Sequence, residues 1–290
     1  MSKSHIGTTA TLPPATDAAD GVIERYWKLY THPFRQAPNP AFVYESGPFR
    51  EAMARVLYDI VEAGGGLSVV TGAPGTGVTV LLRTIASTLP ESSYSVGLVI
   101  EPARPVTSLL STILGELGVK KLPRGRSALF DAAASHLAEL AREGREAVVM
   151  IDEAHVLGGS QLEAIRRLMN VETNERKLLH IVLGGQPRLT STILRNESLA
   201  KRVTMRAVIE PLDSSDADRY LAHRLRVAGA ERDPFSPRAA ARVVSRSGGN
   251  PRRINVIATA ALLAGAVSRA TTITPAMVDA AARGLVEPGS

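Results

Sequence analysis

The stretch that most constrains this chain is LSVVTGAPGTGVT, residues 67 to 79. The apolar run Leu67 to Val70 predicts a strand, the glycine-rich residues a turn, and the following VLLRTIASTL a helix. That succession matches the phosphate-loop pattern G-x-x-x-x-G-K-[ST]. In that pattern loop amides and a helix N-terminus cradle phosphates, a lysine reaches the β and γ phosphates, and a hydroxyl holds Mg2+. Gly72, Gly77 and Thr79 fit, while Val78 occupies the lysine position. The expected cradle is Gly72, Ala73, Pro74, Gly75, Thr76, Gly77, Val78, Thr79 and Val80, with ATP and Mg2+ as its ligands.

From Gly66 onward apolar strands alternate with amphipathic helical stretches. Strands are expected at LSVVT (67–71), SVGLVI (95–100), AVVMID (147–152), LHIVLGG (179–185) and MRAVIEPL (205–212). Near-continuous apolar strands separated by helices predict a parallel sheet covered on both faces, a doubly wound α/β core. After Leu212 only helices are expected, over 214–228, 236–245, 251–268 and 275–285, their starts marked by capping residues or a proline. The expected organisation is a disordered tail over 1–23, an α/β nucleotide-binding core over 24–212 and a small helical lid over 213–290. The core includes a lead-in carrying Tyr26, Trp27, Tyr30, Phe34, Phe42, Tyr44 and Phe49. Interrupted by Pro33, Pro38 and Pro40, this lead-in is expected to run extended and pack onto the core, a plainer account of its aromatics than base stacking.

The run AVVMIDEAH places Asp152 and Glu153 at the carboxyl edge of the sheet, where open α/β sheets bind ligands. An aspartate there, with Thr79, suits Mg2+, and the adjacent glutamate suits activation of an attacking water. The neighbouring strand closes on LGGQPRL, so Gln186 is a candidate sensor of the γ-phosphate; otherwise it is a turn residue before Pro187. In the lid, SGGNPRR presents Arg252 at a turn before a helix, a permanent planar charge matched to phosphate oxygens. Arg202, with Arg206, precedes or opens the last strand and suits a finger that serves a neighbouring subunit. His155 is read as packing after the acidic strand.

Composition excludes several alternatives. The chain has no cysteine, and its histidines have no metal-ligand spacing, so disulfide and thiolate or histidine metal frameworks do not arise. No serine sits in a G-x-S-x-G elbow. Ile254 to Val267 is too short to span a bilayer, and the N-terminus lacks the apolar region of a secretory signal, which predicts a cytoplasmic protein with no direct membrane insertion. A net charge of +6 permits a nucleic-acid partner, but 28 arginines and 6 lysines are spread rather than blocked.

With these residues assembled, the chain resembles the AAA+ ATPases of the ExeA type, the ATPase component associated with general secretion, and their relatives in exopolysaccharide export loci. The resemblance covers roughly 24–285, through NPAFVY, GAPGTGVT, VVMIDEAH, GGNPRRIN and, most specifically, the run from Met169 to Leu189. It implies an oligomerising P-loop ATPase with a five-stranded core and helical lid, Glu153 as catalytic base, Gln186 as sensor 1 and Arg252 as sensor 2. It also implies a ring or filament of like subunits, or a hetero-oligomer with an active paralogue. Secretion members usually continue into a membrane span and a peptidoglycan-binding domain. The expectation here is a role in secretion or envelope export, peripheral to the inner membrane through a partner that supplies the anchor. AAA+ transposition regulators, which bind DNA as ATP-dependent filaments, share the core motifs and define a rival reading.

Val78 departs from the family pattern. Losing a charge-assisted contact costs on the order of 1.5 to 3 kcal/mol, or roughly tenfold to a hundredfold in ATP affinity. Hydrolysis suffers further, because the same charge stabilises the transferring phosphoryl group. Arg83, five residues along the helix, faces away from position 78 and does not replace it. These residues therefore leave open an ATPase and a catalytically impaired pseudo-ATPase scaffold.

Overall fold

The computed structural model describes residues 21–36, 39–62, 66–171 and 177–284. Most of the expected tail, part of the run from Met169 to Leu189 and the last residues of the expected lid lie outside them. The described residues form two compact units, one drawn from 39–217 with 248–253, the other from 21–36, 218–247 and 254–284.

The first unit is built on a sheet of five strands, β1 (Leu67–Gly72), β2 (Tyr94–Val99), β3 (Glu146–Ile151), β4 (Leu179–Gly185) and β5 (Val203–Ile209). All neighbours are parallel, in the order β2-β3-β4-β1-β5. β1 and β4 are buried at every residue and β3 at all but its first, as continuous apolar runs predict. β2 and β5 lie at the edges, and their burial alternates accordingly. Strand geometry sends successive residues to opposite faces. Val69, Val149 and Ile181 meet the helices Val106–Glu116, Arg126–Arg142 and Gly159–Leu168, while Val70, Val148 and Val182 meet Gly47–Val61 and Val78–Thr88. Two further helices, Arg188–Arg195 and Glu197–Ala200, fill a stretch where the sequence predicts no element.

The second unit contains most of the helical C-terminal region, drawing on Ser214–Val227, Pro237–Ser247, Pro251–Val267 and Pro275–Arg283. The lead-in divides between the units, where the sequence predicts that all of it joins the α/β core. Its first part is also helical, over Val22–Trp27, where an extended segment is predicted. Trp27 Nε1 donates to Leu262 O at 2.9 Å and Tyr26 Oη to Ala270 O at 2.9 Å. The buried Arg224 donates to Pro33 O at 2.6 Å and Arg35 O at 2.9 Å. Phe42 and Phe49, by contrast, are buried in the first unit, and Tyr44 Oη donates to Asp216 Oδ1 at 2.9 Å. Most of these aromatics are packing residues; Tyr30, at 88% exposure, and Tyr26, at 36%, are exposed.

A buried polar cluster secures the foot of the sheet. Ser68 Oγ on β1 and Thr204 Oγ1 on β5 donate to Asp59 Oδ2 at 2.6 and 2.8 Å, and His180 Nε2 on β4 lies 3.1 Å from Ser68 Oγ. His180 Nδ1 is buried with no partner among the described residues. Burial pushes the His180 imidazole down to about 4, with Asp59 opposing the shift and Lys177 adding to it. An unfolded histidine takes up its proton near pH 6.5, whereas this one does so only near its lowered value. The unfolded state therefore binds more protons between those pH values, and stability falls as the pH falls through that window. Between pH 6.5 and 4.5 the loss should reach about 2 kcal/mol. Urea unfolding of the native chain and of His180→Gln at pH 6.5 and 4.5 checks this; equal acid losses in both would place the effect elsewhere.

Candidate functional site: a phosphate loop facing an acidic strand

The carboxyl ends of β1, β3 and β4 gather most of the predicted site on one sheet edge. The register pairs Thr71 with Gly185 and Ile151 with Leu183, so the loop after Gly72, the pair Asp152–Glu153 and Gln186 emerge at nearly the same level. β1 sits between β4 and β5 while its chain continues to β2 across two strands, which makes this edge the crevice at a topological switch point.

The loop is shaped by glycine and by its own threonine. Gly75 and Gly77 adopt φ of 87° and 115°, backbone that side-chain-bearing residues rarely enter. The buried Thr76 donates through Oγ1 to Ala73 O at 2.8 Å, drawing the loop closed beneath exposed Ala73 and Pro74. Helix Val78–Thr88 then starts at once, turning its first amides toward the loop.

Val78 is buried and belongs to the apolar layer containing Leu81, Leu82, Ile85, Met150 and Val182. A Cβ on Gly184 would lie 3.0 Å from Val78 Cγ1, and one on Gly72 3.1 Å from Cγ2. The isopropyl group thus fills the space over the ends of two strands. Val80, one residue beyond Thr79, is exposed.

Thr79 Oγ1 donates to Asp152 Oδ2 at 2.5 Å, joining the loop helix to the acidic strand. Asp152 is buried, and its Oδ1 accepts the Glu153 amide at 2.9 Å. A hydroxyl and a carboxylate held this way are the hard oxygen donors that Mg2+ takes from a protein when phosphates and waters complete its shell. The donor set fits that ion. Glu153 adopts φ 50° and ψ 26°, left-handed backbone that costs a non-glycine residue on the order of 1 to 3 kcal/mol. Its side chain is half-exposed, beside the crevice rather than sealed into it.

Two residues of the site do more than the sequence assigns them, one read as packing and the other as part of a turn. His155 is buried; its Nδ1 accepts the Gln186 amide at 3.2 Å, and its Nε2 lies 3.4 Å from Glu153 Oε2. Burial holds its pKa below the ordinary histidine value, against the pull of Glu153 and with a smaller push from Arg188, so the ring is neutral at pH 7. Its position three residues after Asp152 was the available signal. Asn250 is the other, read only as part of a turn. Its Nδ2 donates to Pro74 O at 2.9 Å, and the Arg252 amide donates to Gly75 O at 3.3 Å. The turn carrying Arg252 is therefore fastened to the phosphate loop within one compact unit. Exposed Arg252 has its stem over Gly75, whose own Cβ would stand 2.6 Å from Arg252 Cβ.

Arg202 is not brought to this edge. It precedes β5, whose first residue pairs with Leu67 at the opposite end of β1, about 17 Å of strand from Gly72. Its Nη2 donates to Asn170 Oδ1 at 2.5 Å. Arg206, on β5, is exposed.

The loop, the acidic strand and the 2-3-4-1-5 parallel sheet define an AAA+ protein of the P-loop fold. Comparison of the sequence agrees: residues 61–193 match the AAA domain family. The chain belongs to the AAA+ P-loop ATPase family and is homologous to General secretion pathway protein A of Aeromonas hydrophila. The two are 37% identical over 246 residues, a match covering 83% of this chain and 44% of that protein. The chain thus spans under half the length of this curated relative.

Solved structures share the fold at low identity. The ORC2 protein of Aeropyrum pernix superposes with a TM-score of 0.69 at 17% identity, over 87% of this chain and 71% of that one. Cdc6p of Pyrobaculum aerophilum gives 0.70 at 16%, over 89% and 72%. The RuvB branch migration motor of Thermotoga maritima gives 0.55 at 18%, over 87% and 73%. Among the described residues no helix is long and apolar enough to cross a membrane.

Because Val78 is part of the apolar layer, restoring a lysine disturbs packing. The lysine must leave the layer to place its ammonium at the loop, taking away the valine methyls over Gly72 and Gly184. Val78→Lys should lower the unfolding free energy by about 1 to 2 kcal/mol. Urea denaturation without nucleotide measures it; an unchanged midpoint would show that the valine adds nothing to stability.

Proposed function

We propose that this chain binds ATP with Mg2+ and works as an oligomeric AAA+ ATPase in secretion or cell-envelope export. The observation that supports this most is the Thr79–Asp152 hydrogen bond with Glu153 beside it, which keeps the oxygen donors and the base of the site together. Loop amides and the N-terminus of helix Val78–Thr88 would bind the phosphates. When bound, Mg2+ supplies charge neutralisation of the phosphoryl oxygens.

The remaining roles belong to the chain's own groups. Glu153 orients and deprotonates water, Gln186 at the tip of β4 contacts the terminal phosphate or that water, and Arg252 offers its charge from the turn fastened to the loop. Arg202, too far along the strand from its own loop, serves a neighbouring subunit and so makes activity depend on assembly. The secretion role rests on the likeness to General secretion pathway protein A, of which this chain spans 44%. An inner-membrane location would come through a partner.

A specific observation favours a second reading, a nucleotide-responsive scaffold with impaired turnover that assembles with an active paralogue. Val78 is accommodated within the apolar layer, so the loop holds its shape without the lysine. ATP turnover and binding of the native chain, Val78→Lys and Glu153→Gln separate the two. For an ATPase, the native chain hydrolyses ATP, Glu153→Gln stops hydrolysis while retaining binding, and Val78→Lys tightens ATP by roughly tenfold to a hundredfold. Native turnover no higher than that of Glu153→Gln selects the scaffold. Absence of nucleotide binding by both native chain and Val78→Lys overturns both readings.

A further inference from the structure

His155 stands between the two groups assigned to water activation and terminal-phosphate sensing. Its imidazole is almost wholly enclosed, with 2% side-chain exposure. It is pressed against the tip of β4, where a Cβ on Gly185 would come within 3.1 Å of Nδ1 and 3.2 Å of the His155 amide nitrogen. Glycine at 185 is what lets the ring lie there. On one side Nδ1 accepts the Gln186 amide; on the other Nε2 faces Glu153 Oε2.

The chemistry of these contacts fixes the proton. A backbone N–H only donates, so Nδ1 must present its lone pair, and a neutral ring then carries its hydrogen on Nε2. Nε2, which bears that hydrogen, lies 3.4 Å from Glu153 Oε2. Glu153 is half-exposed, its side chain makes no hydrogen bond among the described residues, and the approach of His155 Nε2 to Oε2 is the polar contact nearest to one. Without the imidazole its carboxylate is free to sample several rotamers.

We propose that His155 is a positioning residue that ties the orientation of the Glu153 carboxylate to the tip of β4. The proposal rests on the reading of Glu153 as the base, and it adds a route by which contact at Gln186 reaches that base through one shared ring. Displacement of the Gln186 amide moves the imidazole whose Nδ1 accepts its hydrogen, and Nε2 carries the carboxylate along.

The two ring nitrogens can be tested separately, because an asparagine places a polar atom near the Nδ1 position and a glutamine one near Nε2. In full-length protein His155→Ala, His155→Asn and His155→Gln should all bind a fluorescent ATP analogue within about twofold of the native Kd. Loss of orientation in the alanine and asparagine variants should lower kcat roughly tenfold to a hundredfold, and glutamine should recover most of it. Equal kcat in the alanine and glutamine variants, or a loss of affinity that matches the loss of kcat, overturns the proposal.

A second readout works without turnover. Imidazole nitrogen NMR of the native chain should show the Nε2-protonated form, with the Nε2 signal moving in Glu153→Gln. A proton on Nδ1, or an Nε2 signal indifferent to that change, overturns the proposal whether or not ATP is hydrolysed. Absence of hydrolysis in both native and Val78→Lys backgrounds, with the Nε2 response intact, instead overturns the ATPase reading and leaves the orientation of Glu153 by His155 supported.

Discussion

The first turn of helix Val78–Thr88 is fixed by two contacts of opposite kind, and the nucleotide edge depends on both. Val78 is driven into the apolar layer behind the sheet, while Thr79 donates to Asp152 at 2.5 Å on the crevice side. Successive helical residues point about 100° apart, so one residue can be given to the core and the next to the site without conflict. The valine acts as a hydrophobic pin. It seats the helix against Gly184 and Gly72, and the position of its N-terminus follows. The loop amides, Thr79 and the acidic pair keep their relation because that pin does not require a charge.

This arrangement explains how much was legible in the sequence. β1, β3 and β4 were plain because a strand buried on both faces is written as an uninterrupted apolar run, and two of these runs end on chemistry, at Gly72 and before Asp152. Thr79 and Asp152 were separately recognisable by type and spacing. Their hydrogen bond follows from the neighbouring positions of β1, β4 and β3 in the sheet. The edge strand β5 extends earlier than its apolar residues suggest, because Val203 pairs with Leu67 there while Thr204, skipped by the register, serves the Asp59 cluster.

What was not legible depends on long-range partners. Aromatic composition shows that the lead-in packs, but it does not say which surface receives it. Trp27 pairs with a carbonyl 235 residues away and Tyr44 with a carboxylate 172 away, so the lead-in divides between the units. The turn carrying Asn250 looked like part of the helical region and is instead hydrogen-bonded to Pro74 and Gly75. Helices Arg188–Arg195 and Glu197–Ala200 were missed because they are short and largely polar, and three of their apolar residues, Leu189, Ile193 and Leu199, become meaningful only when packed on the main core.

The charge balance of the crevice follows from the same pin. A lysine at position 78 would set one full positive charge against Asp152 and Glu153. With valine there, the loop's own contribution reduces to aligned amides and a helix terminus worth roughly half a charge. Arg252 adds its charge from the outer side of the loop, where its amide is committed to Gly75 O. On the function proposed above, a triphosphate entering this crevice would meet two carboxylates with less built-in compensation than a lysine-bearing loop provides, and a divalent cation held by Thr79 and Asp152 would supply the difference. Nucleotide affinity in this chain should consequently depend on the divalent cation more steeply than in a loop that keeps its lysine.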